Sequence, residues 1–227
     1  MFRPLKFNLT DSSVEALKWL ALVLMTIDHI NHFLFKMQVP VMYEMGRIAM
    51  PLFGFVLAYN LARPGTLQKG IHVRAMQRLF IFGLLATPIF IVLKSWFPLN
   101  IMFTLLLATC LIYLIERDKR DDRLICFFTF IIGGFFVEYA WLTPAYCLAA
   151  WWFCKSPNLA RGLLWISITA MLWVVNGNYW ACAAIPIIFM ASFIKFKIAR
   201  MRLVFYSYYP IHLALLLLIQ KFLPISI

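Results

Sequence analysis

The stretch VEALKWLALVLMTIDHINHFLF, residues 14–35, decides the fold of this chain. It is long enough to cross a bilayer, since about 17 to 25 predominantly apolar residues suffice. Asp28 and His29 lie about two-thirds of the way along it. An Asp at that depth costs about 2.5 to 3.5 kcal/mol on insertion scales, so ionisable residues there usually mark a functional site. The stretch therefore predicts a membrane helix that carries part of a membrane-embedded active site.

The composition of the whole chain supports the same class. Of its 227 residues, 64% are hydrophobic and 13% are charged, and the mean hydropathy is +0.86. A soluble domain could not bury that much apolar surface. We predict an all-α, polytopic integral membrane helical bundle of about nine transmembrane helices that forms a single domain over residues 1–227. The expected spans lie near 15–36, 46–62, 76–96, 100–115, 124–139, 141–154, 161–175, 179–194 and 203–222.

One part of this assignment stays open. Residues 124–154 contain Glu138, Pro144 and a Trp-rich stretch. Because proline and buried charge interrupt apolar helices, the segment fits either two short helices or one broken helix.

Basic residues between the spans predict the orientation. Clusters precede the first and last spans and follow the second and fourth, whereas the other breaks hold few basic residues. Since Lys and Arg favour cytoplasmic loops, the alternation predicts a cytoplasmic N-terminus and an external C-terminus. The net charge of +12 then reflects topology and attraction to anionic lipids, and no nucleic-acid partner is expected. The clusters are Arg3, Lys6 and Lys18; Arg63, Lys69, Arg74 and Arg78; Arg117, Lys119, Arg120 and Arg123; and Lys195, Lys197, Arg200 and Arg202.

The ionisable residues of the first helix suggest a general base. Asp28, His29 and His32 are within one helical turn and can share one face or its edges. A carboxylate beside an imidazole fixes its tautomer and raises its basicity. We expect His29 to be the base, oriented by Asp28 or by another buried acid. Adjacent residues point about 100° apart on a helix, so Asp28 can instead pair with Arg47 on the next span.

Other interpretations of these residues stay open. Asp and His side chains can join helices by hydrogen bonds, or form a transporter's proton relay together with Glu138 and His212. A metal site at Asp28, His29 and His32 lacks a second ligand cluster, and no metal is expected.

The segment GRIAMPLF, residues 46–53, supplies a permanent charge. Arg47 stands at a helix entrance, with Pro51 in the first turns. A guanidinium stays protonated and presents a planar fork of donors, so it could stabilise an oxyanion or clamp a carboxylate or phosphate. The sequence equally fits an interfacial arginine that reaches lipid headgroups.

Three blocks resemble the TraX family: residues 17–29 (LKWLALVLMTIDH), 46–53 and 99–107 (LNIMFTLLL). They occur in the family's order and spacing, and the resemblance runs from about Ala16 to the final helix. The family includes the F-type pilin N-acetylase and looks like a branch of the membrane acyltransferase superfamily. The resemblance implies transfer of an acetyl group from acetyl-CoA to the amino terminus of a conjugative pilin subunit, in the bacterial inner membrane.

The resemblance also implies roles for individual residues. His29 is then the catalytic histidine, Asp28 its companion, and Arg47 the arginine of the second block. Asn100 and Thr104 match the third block and are expected to line the substrate channel.

Two further sets of residues complete the expected site. His212, in the segment YPIHL at 209–213, resembles the closing-helix motif of the wider acyltransferases and is expected at the channel. The nucleotide of acetyl-CoA is expected to dock on a basic patch of the cytoplasmic face. That patch comprises Arg63, Lys69, Arg74 and Arg78.

We favour direct transfer, in which His29 removes the proton of the acceptor amine, although an acetyl-histidine intermediate is also compatible with the sequence. Three alternative functions stay open: acylation of another envelope acceptor such as a glycan, proton-coupled transport, and non-catalytic pilin assembly. An assembly factor should tolerate His29→Ala, whereas the enzyme should not.

Overall fold

The computed structural model describes residues 7–194, 197–199, 201 and 203–222. Within this part of the chain every named element is a helix, which confirms the predicted all-α class. Arg3, Lys6, Lys195, Arg200 and Arg202 of the predicted basic clusters lie outside the described residues. The helices are α1 (Asp11–Phe33), α2 (Pro40–Gly46), α3 (Ala49–Ala62), α4 (Ile71–Leu93), α5 (Ile101–Arg117), α6 (Asp122–Phe136), α7 (Leu142–Lys155), α8 (Leu159–Met171), α9 (Trp173–Asn176), a 3₁₀ helix (Trp180–Ala183), α10 (Ala184–Phe193) and α11 (Val204–Phe222).

Each predicted span contains a helix, but these helices differ in their capacity to cross a membrane. By length and hydropathy, three segments of the described chain are able to do so: Pro40–Ala62, Ile71–Leu93 and Leu159–Asn176. The first joins α3 to α2, a short helix that the sequence did not predict. Helix α1 is outside this group because polar and charged residues occur near both of its ends. The chain thus has the helical character of a membrane protein, while nine crossings and a cytoplasmic N-terminus stay predictions.

The open segment 124–154 forms two helices, α6 and α7, separated by residues 137–141. The backbone N–H of Leu99 donates to the carbonyl of Phe136 at 2.8 Å, and that of Glu138 donates to the carbonyl of Leu99 at 3.1 Å. Tyr139 then adopts a left-handed conformation with φ 61°. Non-glycine residues rarely occupy this region, and such strain occurs often at functional sites. The break carries Tyr139 to the cavity described below.

The core is centred on α3, which packs against α1 and α7 and is apolar on all sides. The Trp165 ring of α8 is fully buried and stacks on Phe55 and Phe153. On the other side of α1, α11 packs against α4, and α4 packs against α5. The space between α1 and α3 on one side and α4 and α11 on the other forms a cavity.

Candidate functional site

The cavity has a volume of about 700 Å³ and follows the length of α4. Arg74 and Arg78, near the start of α4, line it, and so does Lys94, directly after the helix ends. Arg74 and Lys94 are about 30 Å apart along the helix at 1.5 Å per residue, which is the thickness of a bilayer's hydrocarbon core. Basic residues near both ends of α4 therefore line the cavity.

A buried ion pair lines one part of this cavity. The Arg47 guanidinium donates from Nη2 to Oδ2 of Asp28 at 2.5 Å and from Nη1 to the Tyr139 hydroxyl at 3.2 Å. It also donates from Nε to the Tyr43 carbonyl at 3.3 Å and lies over the Tyr43 ring, 4.3 Å from its centroid. Of the two pairings that the sequence left open for Asp28, the structure forms the one with Arg47. Among the described residues Asp28 therefore hydrogen-bonds Arg47 and not His29, and the role of companion that the resemblance implies for Asp28 stays a prediction.

The second carboxylate oxygen of Asp28 has no partner among the described residues, although it is buried. The backbone of α2 passes directly against this side chain, and a Cβ added at Gly46 would overlap the Cβ and Cγ of Asp28. A buried acceptor without a hydrogen bond costs about 1 to 3 kcal/mol. The backbone of α2 covers this oxygen, so a donor in the cavity would reach it only after the Asp28 side chain or α2 moved.

His29 contacts a different partner, the imidazole of His212 on α11. The Nδ1 of His29 and the Nε2 of His212 are 2.6 Å apart, and the two ring planes differ by 5°. His29 lines the cavity, whereas His212 is 4% exposed and lies behind it. The structure thus brings together the histidine of the first block and the histidine of the closing helix, which are separated by 183 positions in the sequence.

Asn100 and Thr104 lie beside the cavity but are not among its lining residues in the described chain. The Asn100 side chain caps α5 by accepting from the backbone N–H of Met102, and it donates to the Gly83 carbonyl of α4 at 3.1 Å. The Thr104 hydroxyl donates to the Glu138 carbonyl at 3.1 Å. These two side chains fix α4, α5 and the 137–141 break to one another.

The predicted nucleotide patch divides into two parts. Arg74 and Arg78 line the cavity. Arg63 instead pairs with Asp11 at 2.6 Å, and neither Arg63 nor Lys69 is among the described lining residues. Lys18 of α1, which the sequence placed only in a topological cluster, does line it.

The sequence reasoning missed Tyr43, Tyr139 and Lys94 as site residues. Lys94 pairs with Glu138 at 2.5 Å at the end of the cavity away from Arg74. For Tyr139 the sequence does contain a signal, the Glu-Tyr pair at 138–139 between two apolar runs. An ionisable residue at such a position is costly in lipid, so the pair indicates a site inside the protein.

This arrangement defines a class of protein: a membrane-type helical bundle with a charged, hydrogen-bonding cavity lined by several of its helices. A family model described as "TraX protein" matches residues 13–220, so the chain belongs to the TraX family, as its three sequence blocks predicted. It is 34% identical to the uncharacterized protein RP591 of Rickettsia prowazekii (strain Madrid E) over 100 residues, which are 44% of this chain and 36% of that protein. It is 35% identical to Protein TraX of Escherichia coli over 97 residues, 41% of this chain and 36% of that protein. The chain thus covers just over a third of each relative's length, and no solved structure matches it.

Proposed function

We propose that this chain is a multi-pass, inner-membrane N-acetyltransferase that transfers an acetyl group from acetyl-CoA to the N-terminal amine of a conjugative pilin subunit. Its proposed topology is about nine spans with a cytoplasmic N-terminus. The observation that carries the proposal is one continuous cavity that joins Arg74 and Arg78 to His29 and to the Asp28–Arg47 pair. Acetyl-CoA has matching parts: an anionic nucleotide and a long arm that ends in a thioester.

The basic end of the cavity suits the nucleotide. Lys18 and His29 both line the cavity and are about 17 Å apart along α1. Arg78 lies over the Tyr206 ring, 5.9 Å from its centroid, which restrains the guanidinium near the cavity. Arginine binds phosphate oxygens through two parallel N–H donors, so Arg74 and Arg78 would anchor the phosphates while the arm extends toward His29.

The other groups suit an amine acceptor. The Asp28 carboxylate lines the cavity, and its negative charge would help to hold the acceptor amine there. His29 would take the amine proton as the nitrogen bonds to the thioester carbonyl carbon. As the carbon–sulfur bond breaks, His29 would return that proton to the departing sulfur. The products are the acetylated amine and free CoA, and His29 ends as it began.

Charge that develops on the carbonyl oxygen needs fixed donors. Arg47 uses one N–H of each terminal nitrogen on Asp28 and Tyr139 and keeps a further N–H on each. The Tyr139 hydroxyl accepts from Arg47 and keeps its own proton for donation. These two side chains line the cavity and would form the oxyanion site.

Intact-mass analysis of a co-expressed F-type pilin tests the proposal. We expect pilin heavier by one acetyl group with the unmodified chain, and unmodified pilin with His29→Ala or without the chain. Val23→Ala is the matched control, because Val23 is on the same helix but 49% exposed on the outer surface. Acetylation that is equal with and without the chain, or absent with a well-expressed chain, would overturn the proposal. Equal acetylation by His29→Ala would instead remove His29 as the base.

A further inference from the structure

The contact between α1 and α11 holds two aligned polar pairs. The Thr26 hydroxyl donates to the Leu22 carbonyl at 2.8 Å, so the Tyr208 hydroxyl, 2.8 Å from Thr26 Oγ1, donates to it. About one turn further along both helices, His29 meets His212. The two helices therefore run in the same direction, and the Thr26–Tyr208 pair fixes their register one turn before the imidazole pair.

The hydrogen bonds of His212 determine where its proton lies. Its Nδ1 is 2.9 Å from the Tyr208 carbonyl oxygen. A carbonyl oxygen only accepts, so Nδ1 carries the hydrogen. In a neutral imidazole the other nitrogen is then an acceptor, which makes Nε2 of His212 the acceptor of the 2.6 Å contact.

The proton of His29 follows from this. Its Nδ1 faces the Nε2 acceptor of His212 and must donate to it. The lone pair of neutral His29 is thereby confined to Nε2, the nitrogen that His212 does not contact. His212 is fixed in place by rings on two sides, Tyr208 at 5.0 Å and Tyr209 at 5.5 Å between centroids. It is buried behind His29 and does not line the cavity.

We infer that His212 is a positioning residue, which holds His29 in the tautomer with a free Nε2 lone pair and stabilises the imidazolium after proton transfer. This inference rests on the proposed role of His29 as the base. The Tyr208 carbonyl, His212 and His29 form one directed chain, and a neutral imidazole takes the orienting place that the sequence assigned to Asp28. When Nε2 of His29 gains a proton, its Nδ1–H keeps donating to His212, and the charge keeps a hydrogen-bond partner.

Nitrogen NMR of the full chain in lipid nanodiscs, with ¹⁵N-labelled histidine, tests the assignment without any need for activity. The chain has four histidines, so single substitutions assign each ring. We expect Nδ1–H and bare Nε2 on both His29 and His212, with a scalar coupling through hydrogen between His29 Nδ1 and His212 Nε2. A protonated Nε2 on neutral His29, or the absence of this coupling, would overturn the inference even if the chain acetylates pilin.

Two variants connect the tautomer to turnover. His212→Leu removes the acceptor, so we expect mixed His29 tautomers and a kcat lower by about 10²-fold or more, with the KM for acetyl-CoA unchanged. His212→Gln keeps an oxygen acceptor, so it should restore part of the single His29 tautomer and part of kcat. This variant also tests the inference if His212→Leu fails to fold. Ile211→Ala, on the 62% exposed neighbour, should change neither. An unchanged His29 tautomer in folded His212→Leu would refute the inference, whereas normal tautomers without acetylation in any sample would refute only the proposed function.

Discussion

The Asp28 carboxylate and the Arg47 guanidinium form a 2.5 Å ion pair between α1 and the turn that joins α2 to α3. Their side chains are 15% and 12% exposed. Both ions have lost most of their hydration, so each depends on the other for its charge to be tolerated. The pair fixes the entrance of α3 against the helix that carries His29.

Neutralising one partner of this ion pair should destabilise the fold more than its share of the loss caused by neutralising both partners together. Asp28→Asn or Arg47→Gln alone leaves one buried charge unpaired, and we expect each to lower the free energy of unfolding by about 3 to 5 kcal/mol. The double variant should lose clearly less than the sum, as denaturant unfolding in detergent would measure. Arg123→Gln is the control, because its pair with Asp118 is 85% and 67% exposed and such pairs contribute about 0 to 1 kcal/mol. Strictly additive losses at Asp28 and Arg47 would contradict the coupling.

Gly46 should not tolerate a side chain. Its added Cβ would overlap Asp28, so Gly46→Ala must displace α2 or the carboxylate. We expect a loss of about 1 to 3 kcal/mol, as for overpacked sites, and weaker acetylation because the Asp28–Arg47 geometry changes. Gly162→Ala in α8 is the matched control, since its Cβ would lie 3.5 Å from Phe153, an ordinary contact. That variant should be neutral or stabilising by about 0.5 to 1 kcal/mol. Equal thermal stability of the two variants would show that α2 does not pack on Asp28 in this way.

The two parts of the predicted nucleotide patch should differ in their effect on the KM for acetyl-CoA. Arg78→Gln removes a charged donor that lines the cavity, and we expect the KM for acetyl-CoA to rise about 10- to 100-fold while kcat changes little, from a loss of about 1.5 to 3 kcal/mol. Arg63→Gln should have a smaller effect, because Arg63 is paired with Asp11 away from the cavity lining. The control is Arg120→Gln, in the exposed connection between α5 and α6. A KM that rises equally for Arg63→Gln and Arg78→Gln would place the nucleotide on the outer loop instead.

Local patterns in the sequence predicted the helices well, because apolar runs of sufficient length have few other solutions in a bilayer. They left Asp28 with two possible partners, since helix periodicity gives the direction of a side chain but not the identity of the helix that it faces. The His29–His212 contact joins positions 183 apart, so no spacing rule could predict it. The TraX resemblance placed Asn100 and Thr104 at the channel, and that role stays a prediction; the structure adds hydrogen bonds to Gly83 and Glu138, through which these side chains also hold helices together. The contacts of the site form between helices that are distant in the sequence, so no short segment of the sequence predicts them.

Tyr139 supplies the sharpest test of the oxyanion site, because its role rests on one atom. Tyr139→Phe removes the hydroxyl that accepts from Arg47 at 3.2 Å and lines the cavity with its own proton free to donate. We expect kcat for pilin acetylation to fall about 10² to 10³-fold with little change in the KM for acetyl-CoA, as for the loss of one oxyanion donor. Tyr179→Phe, at a 63% exposed position outside the cavity lining, should leave kcat unchanged. Because the ring and the left-handed backbone are retained, thermal unfolding of Tyr139→Phe should stay close to that of the unmodified chain. A large loss of stability with an unchanged kcat in the folded fraction would assign Tyr139 to holding Arg47 alone, and the oxyanion would then depend on the guanidinium.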